Sequence, residues 1–154
     1  MATSTLVQYL ESTDAAGADL GITPSYRSQF ETFIATEAIA LGQAVGMDLS
    51  QSTDAKRALS VRLCDGNVGD RKNFVGVATH AAAVGERVKV CLSGFCEAKI
   101  ENGVTQGAPL TLSVNVGNLD AYQAADVLAV AGYCVDANSS GSAAIRTVIL
   151  IKQF

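Results

Sequence analysis

The sequence predicts an all-β protein: a small antiparallel β-barrel or sandwich of about eight strands, preceded by an extended N-terminal arm. Three observations carry the prediction. Apolar and polar side chains alternate over short runs, as at Leu59, Val61 and Leu63 and again at Val88, Val90 and Leu92. A period of two describes a strand covered on one face. The runs are separated by short stretches rich in Gly, Asn and Asp rather than by long helical segments, and β-branched residues fill many of the apolar positions.

The arm spans residues 1–29 and the β domain residues 30–154. Early in the arm lies one apolar patch, Leu6, Val7, Tyr9 and Leu10, followed by the loop-like run STDAAGADLGITPS. The patch is too short to be a stable helix alone. It reads either as a frayed terminus or as a segment that docks on another subunit, and the second reading removes four large apolar side chains from water.

The strands follow in order. Phe30 to Ala40 (FETFIATEAIA) fits a strand or a helix, and Thr32, Ile34 and Thr36 favour the strand. Leu41 to Asp48 reads as a turn leading into a short strand, Ser50 to Lys56 as polar turn, and Leu59 to Cys64 as a strand. Asp65 to Lys72 is a loop, and Phe74 to Ala78 is a short apolar strand. Glu86 to Ile100 is a long β pattern interrupted at Ser93-Gly94, where a bulge or a turn is expected. In it Val88, Val90 and Leu92 share the covered face, and Arg87, Lys89 and Cys91 the other. Asn102-Gly103 is a strong hairpin signal and predicts a turn into a strand starting at Val104. Leu112, Val114 and Val116 alternate as a strand, Gly117 to Asp126 reads as loop or one helical turn, Val127 to Val135 as a strand, and Asp136 to Gly141 as a polar loop. Ala144 to Lys152 closes the chain with a strand apolar enough to be central or interfacial.

Composition narrows the function. Charged residues are 17% of the chain and apolar ones 49%, with a mean hydropathy of +0.26. The excess is largely Ala, Val and Gly, which suits tight sheet packing and a subunit interface. A formal charge of −4 argues against a nucleic-acid partner, which calls for a clustered basic face. No run approaches the roughly eighteen apolar residues of a membrane span, so no membrane partner is expected. The first residues lack a basic stretch followed by an apolar one, so no secretory signal is expected either.

Four cysteines, Cys64, Cys91, Cys96 and Cys134, show no C-x-x-C pair and hence no zinc spacing. Reduced thiols are the expectation. If Ser93-Gly94 were a two-residue hairpin turn, Cys91 and Cys96 would face each other and a disulfide becomes conceivable. His80 is the one histidine, set in an Ala-rich loop without a second ligand, so no catalytic residue, metal site or cofactor is assigned. Asp65, Asn67 and Asp70 share a loop, but it lacks the glycine and bidentate glutamate of an EF-hand. Asn138-Ser139-Ser140 fits the glycosylation pattern as a chance match. Catalysis is not expected.

The order of the segments resembles a known family. Ala40 to Gly46 (ALGQAVG) resembles an x-x-G-Q-A-V opening, and Phe74 to Ala78 an F-x-G-V-A element. Gly85 to Val90 with Ser93-Gly94 resembles G-E-x-V-x-V-x-x-S-G, and Gly107 to Leu110 resembles G-x-P-L. Gly132-Tyr133-Cys134 stands where a final G-x-A/C precedes a terminal apolar strand. Over about residues 37 to 154 these are similar to the small capsid decoration, or cement, proteins of tailed bacteriophages. The resemblance implies a structural virion protein, usually a homotrimer, which sits on the outer capsid surface, binds the major capsid protein and stabilises the shell. It implies assembly in the host cytoplasm and an arm, here Leu6, Val7, Tyr9 and Leu10, that reaches the capsid. The alternative is a receptor- or glycan-binding module of a head fibre or tail, using aromatics such as Tyr122 and Tyr133.

Overall fold

The computed structural model describes residues 28–66, 73–123 and 130–151. The predicted arm patch, Leu6, Val7, Tyr9 and Leu10, lies outside the described residues. Nine strands and one short helix make up the described chain. The strands are β1 (Gln29–Ala35), β2 (Ala44–Met47), β3 (Ser60–Leu63), β4 (Phe74–Ala78), β5 (Arg87–Ile100), β6 (Pro109–Leu112), β7 (Leu119–Ala121), β8 (Gly132–Cys134) and β9 (Ala144–Leu150). Helix α1 (Asp54–Leu59) precedes β3 directly.

The strands close into two rings that share β5. In the first ring the order is β1-β3-β2-β4-β5, and β5 returns to pair with β1. In the second the order is β5-β7-β6-β8-β9, and β9 returns to β5. Most pairs are antiparallel, but β1–β3 and β5–β7 are parallel. Strand β5 serves both rings by dividing its length. Arg87 to Ser93 pairs with β1, and Gly94 to Ile100 pairs with β9. At the division Gly94 takes φ +91°, and the register with β1 slips between Gln29 and Phe30. Side chains other than glycine rarely adopt that φ, so Gly94 is where the strand can bend from one ring into the other.

Two cores follow. The first is filled by Phe33, Ala35, Val45, Val61, Val88 and Val90, among others. The second holds Ile100, Leu110, Leu119, Val148 and Leu150, together with residues that first-ring strands point outward: Ala44, Phe74, Val77 and Cys91. Strands β2, β4 and β5 are therefore a wall between the cores, which is why all five residues of β4 are buried. Cys91, expected on an uncovered face, is buried because the second ring covers that face.

Several sequence expectations need correction. The expected strand through Leu59 begins at Ser60. Thr53 accepts a hydrogen bond from the Lys56 amide at 3.3 Å and starts α1, leaving Leu59 exposed on a helix. The Asn102-Gly103 turn exists, with Gly103 at φ +86°, but it forms no hairpin. The chain leaves β5 through a single bridge between Val104 and Asn138, and the C-terminal half of β5 pairs with β9, more than forty residues on. Val114 and Val116 lie beyond the end of β6, and Val114 is 82% exposed. Within the segment read as loop, Leu119–Ala121 forms β7. Within Val127 to Val135 the described strand is only Gly132–Cys134, and residues 124–129 lie outside the described set. Ser93-Gly94 is a bend inside one strand and not a hairpin turn.

Candidate interaction surface

The register of the second ring builds an apolar row on its outside. Tyr133 of β8 pairs with Ile149 of β9, which pairs with Phe95 of β5. Directly paired residues share a face, with Cβ atoms about 5 Å apart. At the bend of β5 the row meets the outer face of the first ring at Phe30, the second residue of β1. Ser28, just before β1, donates its hydroxyl hydrogen bond to the Phe95 carbonyl at 2.8 Å, so the entry of the described chain is tied to the row.

Between the rings lies a shallow groove of ≈ 250 Å³, walled by Phe30 and Leu41 on one side and by Phe95, Cys96 and Glu97 on the other. Lys89 and Thr79 complete its lining. The Lys89 ammonium sits 4.5 Å from the centre of the Phe30 ring, a cation–π contact that leaves a positive charge beside apolar surface. Phe30, Leu41 and Tyr133 are 39%, 41% and 44% exposed. Already more than half covered, each would contribute about 1 kcal/mol if a partner covered the rest, before ordering costs. Such a surface is suited to burial against another protein.

The scaffold beneath this surface is fixed by polar side chains to which the sequence reading gave no structural role. Asn138, fully buried, donates from its side-chain amide to the carbonyls of Ile100, Glu101 and Ser142 at 3.1, 3.0 and 2.8 Å. Its Oδ1 accepts from the Ser140 hydroxyl at 2.8 Å. It thus ties the end of β5 to the turn before β9, and a glycan cannot be attached to it in this fold. Glu101 accepts from the Ser113 hydroxyl and from the side-chain amides of Asn115 and Asn118 at 3.0, 2.8 and 2.8 Å. Burial opposes its charge, but these hydrogen bonds outweigh burial and hold its carboxyl below the ordinary glutamate range. In the first ring Asp48 accepts from the Ser50 hydroxyl and the Gln51 amide at 2.6 and 2.7 Å. The Ser50 hydrogen bond is the main reason its pKa falls to about 2. The signal for these hubs in the sequence was weak: Asp-x-Ser and Asn-x-Ser spacings, which mark Asx turns as readily as buried ties.

The residues first considered for chemistry are scattered. His80 is exposed, and among the described residues its ring nitrogens reach only the Thr79 hydroxyl at 3.5 Å and the Arg87 carbonyl at 3.3 Å. Among the described residues no three His, Cys, Asp or Glu side chains converge on a common point where a metal could sit, and no helix is long and apolar enough to cross a membrane. Of the two tyrosines considered for receptor binding, Tyr133 stands in the apolar row. Tyr122 follows β7, and its amide donates to the Pro109 carbonyl at 2.8 Å. The four cysteines are free thiols.

No family model and no curated protein matches the chain by sequence. By structure it is similar to the N base of the head fibre gp8.5 of bacteriophage phi29, with a TM-score of 0.56 and 14% identity, over 81% of this chain and 95% of that one. It is also similar to a chain of the capsid of the Myoviridae phage XM1, with a TM-score of 0.58 and 11% identity, over 82% of this chain and 85% of that one. At such identities the likeness is one of fold, and it runs through nearly the whole length of both neighbours.

Proposed function

We propose that this chain is a structural virion protein that binds the outer surface of a phage capsid and stabilises the shell, acting as a homotrimer. The observation that carries the reading is the shared fold: both structural neighbours named above are parts of phage heads and are covered almost end to end. Exposed Tyr133 and Phe30, with half-buried Phe95 between them beside the inter-ring groove, support it, because a shell protein works by surface burial. On this reading the major capsid protein is the partner, the capsid surface is the location, and assembly takes place in the host cytoplasm. The arm, residues 1–29 with Leu6, Val7, Tyr9 and Leu10, makes the attachment. Three arms on one trimer turn a modest individual affinity into a large combined one.

The experiment is truncation of residues 1–29, read by thermal melting and by co-sedimentation with capsids. The β domain is expected to keep its melting temperature within a few degrees, and at least about tenfold of the capsid affinity is expected to be lost. Co-sedimentation equal to that of the full chain would shift attachment from the arm to the apolar row. A second reading, a receptor- or glycan-binding head-fibre module, is favoured by the phi29 neighbour and by exposed Tyr133. Binding to host cells rather than to empty capsids would select it.

A further inference from the structure

We propose that the first part of β1 is an open strand edge and that, in the free protein, segment 5–11 of the same chain (TLVQYLE) covers it as an added strand. Toward β5, β1 is paired from Gln29 to Ile34, but toward β3 it is paired only at Ile34 and Ala35. The Ala35 amide donates to the Glu86 carbonyl at 2.9 Å, and the Thr36 amide donates to the Val61 carbonyl of β3 at 3.0 Å. Backbone groups alternate sides along a strand. Glu31 and Phe33 therefore turn theirs toward β5, whereas Phe30 and Thr32 turn theirs away. Among the described residues no strand pairs with β1 there, and Gln29 to Thr32 are all exposed.

An edge with unused N–H and C=O groups is a template for another strand, and folded proteins cover or charge such edges. This one is framed by apolar side chains. Phe30 stands at its start and Ile34 at its end, both exposed. Ile34 pairs with Ser60, which exposed Leu59 precedes. Exposed Leu49 follows Asp48, whose amide donates to the Ser60 carbonyl at 2.9 Å. Beside this frame, Lys89 and Arg87 pair with Thr32 and Ile34 and so share their outer face. Both are exposed, and among the described residues neither is in an ion pair. Glu31 leaves on the opposite face, beside buried Phe33 in the alternation.

Three properties select the arm as the occupant. The chain before Ser28 leads directly into β1, and residues 11–27 extend to at most about 55 Å, far more than a return to the edge needs. Covering the edge is thus an intramolecular step with a high effective concentration. When extended, segment 5–11 places Val7, Tyr9 and Glu11 on one face and Leu6, Gln8 and Leu10 on the other. The first face sets two apolar side chains beside Phe30 and Ile34 and a carboxylate on the side of Lys89 and Arg87. Residues 1–27 carry Glu11, Asp14 and Asp19 against a single Arg27, so their charge is opposite to that of the receiving face. Pairing with the β1 edge of a second copy would instead bring two sets of Lys89 and Arg87 onto one face.

The test is amide hydrogen exchange of the full chain, read at Thr32 and Phe30, with Phe33 as the amide bonded to β5. Thr32 is expected to exchange at least about a hundredfold more slowly than an open amide. In Val7→Asp/Tyr9→Asp that protection should fall about tenfold or more while Phe33 keeps its own. Thr32→Pro removes an N–H that β5 does not use, so the ring is retained. Chymotryptic cleavage after Tyr9 is expected to become at least about fivefold faster in that variant. A Thr32 amide that exchanges freely in the full chain overturns the proposal. So does protection that is lost on dilution, which would mean that a second copy covers the edge, or protection that the arm variant leaves unchanged. No capsid enters these measurements, so their outcome stands apart from that of the attachment experiment.

Discussion

The two rings share a strand and little else in their construction. The first has a core of aliphatic and aromatic side chains, and its longest wall pairs β1 with β5 over six residue pairs. The second is assembled from β6, β7 and β8, which are four, three and three residues long, and only β9 is of ordinary length. Its one long ladder is β5 with β9, over seven residue pairs. The second ring adds side-chain ties around the short strands: Asn138 at the turn before β9, and Glu101 against Ser113, Asn115 and Asn118. One of these polar atoms, Asn118 Oδ1, is buried without a partner, a cost the first ring does not carry among its described side chains. An apolar core tolerates small changes in volume, whereas a polar tie fails as soon as one member is lost. The first ring should therefore break by collision and the second by deletion.

The largest effect is expected from a collision in the wall. Gly76 lies in the middle of β4, where a Cβ would strike the carbonyl of Cys91. Because β4 is hydrogen-bonded to β2 on one side and β5 on the other, it cannot move aside without opening the ring. Gly76→Ala should cost about 4 kcal/mol, in the range set by overpacking plus lost pairing, measured by chemical denaturation. A loss under about 1 kcal/mol would mean that the wall between the two cores yields, and the contrast between rings would weaken.

The first ring was also the more legible in the sequence, for the same physical reason. Long two-sided strands such as β5 and buried β4 impose an alternation or an apolar run that can be read directly, and Ala144 to Leu150 was readable as a strand on the same grounds. The closure of the rings was not readable. It depends on β5 changing partners at Gly94, and one glycine in a strand pattern fits a bulge and a turn equally well. The short strands failed differently. At Leu119–Ala121 three residues are too few to display a period, and at Val114 and Val116 a period continued past the point where pairing stopped. Helix α1 was missed because its six residues bury no apolar side chain, so nothing but its Thr53 cap announced it. The apolar row could not be seen at all, since Tyr133, Ile149 and Phe95 meet only through register.

Deletion in the second ring is expected to come next in size. Asn138→Ala removes the donors to three carbonyls, those of Ile100, Glu101 and Ser142, in a site with no exposure of its own. The cost should be about 3 kcal/mol, because buried acceptors left without donors lose their water and gain nothing in return. Hydrogen exchange sharpens the comparison. Protection should fall in β9 and the C-terminal half of β5 while β1 and β4 keep theirs, and a uniform loss would show that the rings unfold as one unit.

The smallest effect concerns the two carboxylates, and it separates the rings by pH. Asp48 is 4% exposed, and its pKa is lowered from 3.8 to about 2, chiefly by the Ser50 hydroxyl. A carboxyl whose folded pKa lies below its unfolded one stabilises the fold above the unfolded value. That stabilisation is lost as pH falls through the folded value. For Asp48 the difference corresponds to about 2 kcal/mol at neutral pH, disappearing between roughly pH 4 and pH 2. Asp48→Asn should therefore be less stable than the parent by about this amount at pH 7, and the two denaturation curves should converge toward pH 2. Glu101 is shifted in the same direction, but burial works against its hydrogen bonds, so Glu101→Gln should show a shallower convergence over the acid range. Its amide can still accept from Asn115 and Asn118 through the retained oxygen, which limits the loss further. Equal slopes for the two variants would mean that the charge matters no more in the apolar ring than in the polar one. A steeper slope for Glu101→Gln would reverse the comparison and make the second ring the acid-labile half of the molecule.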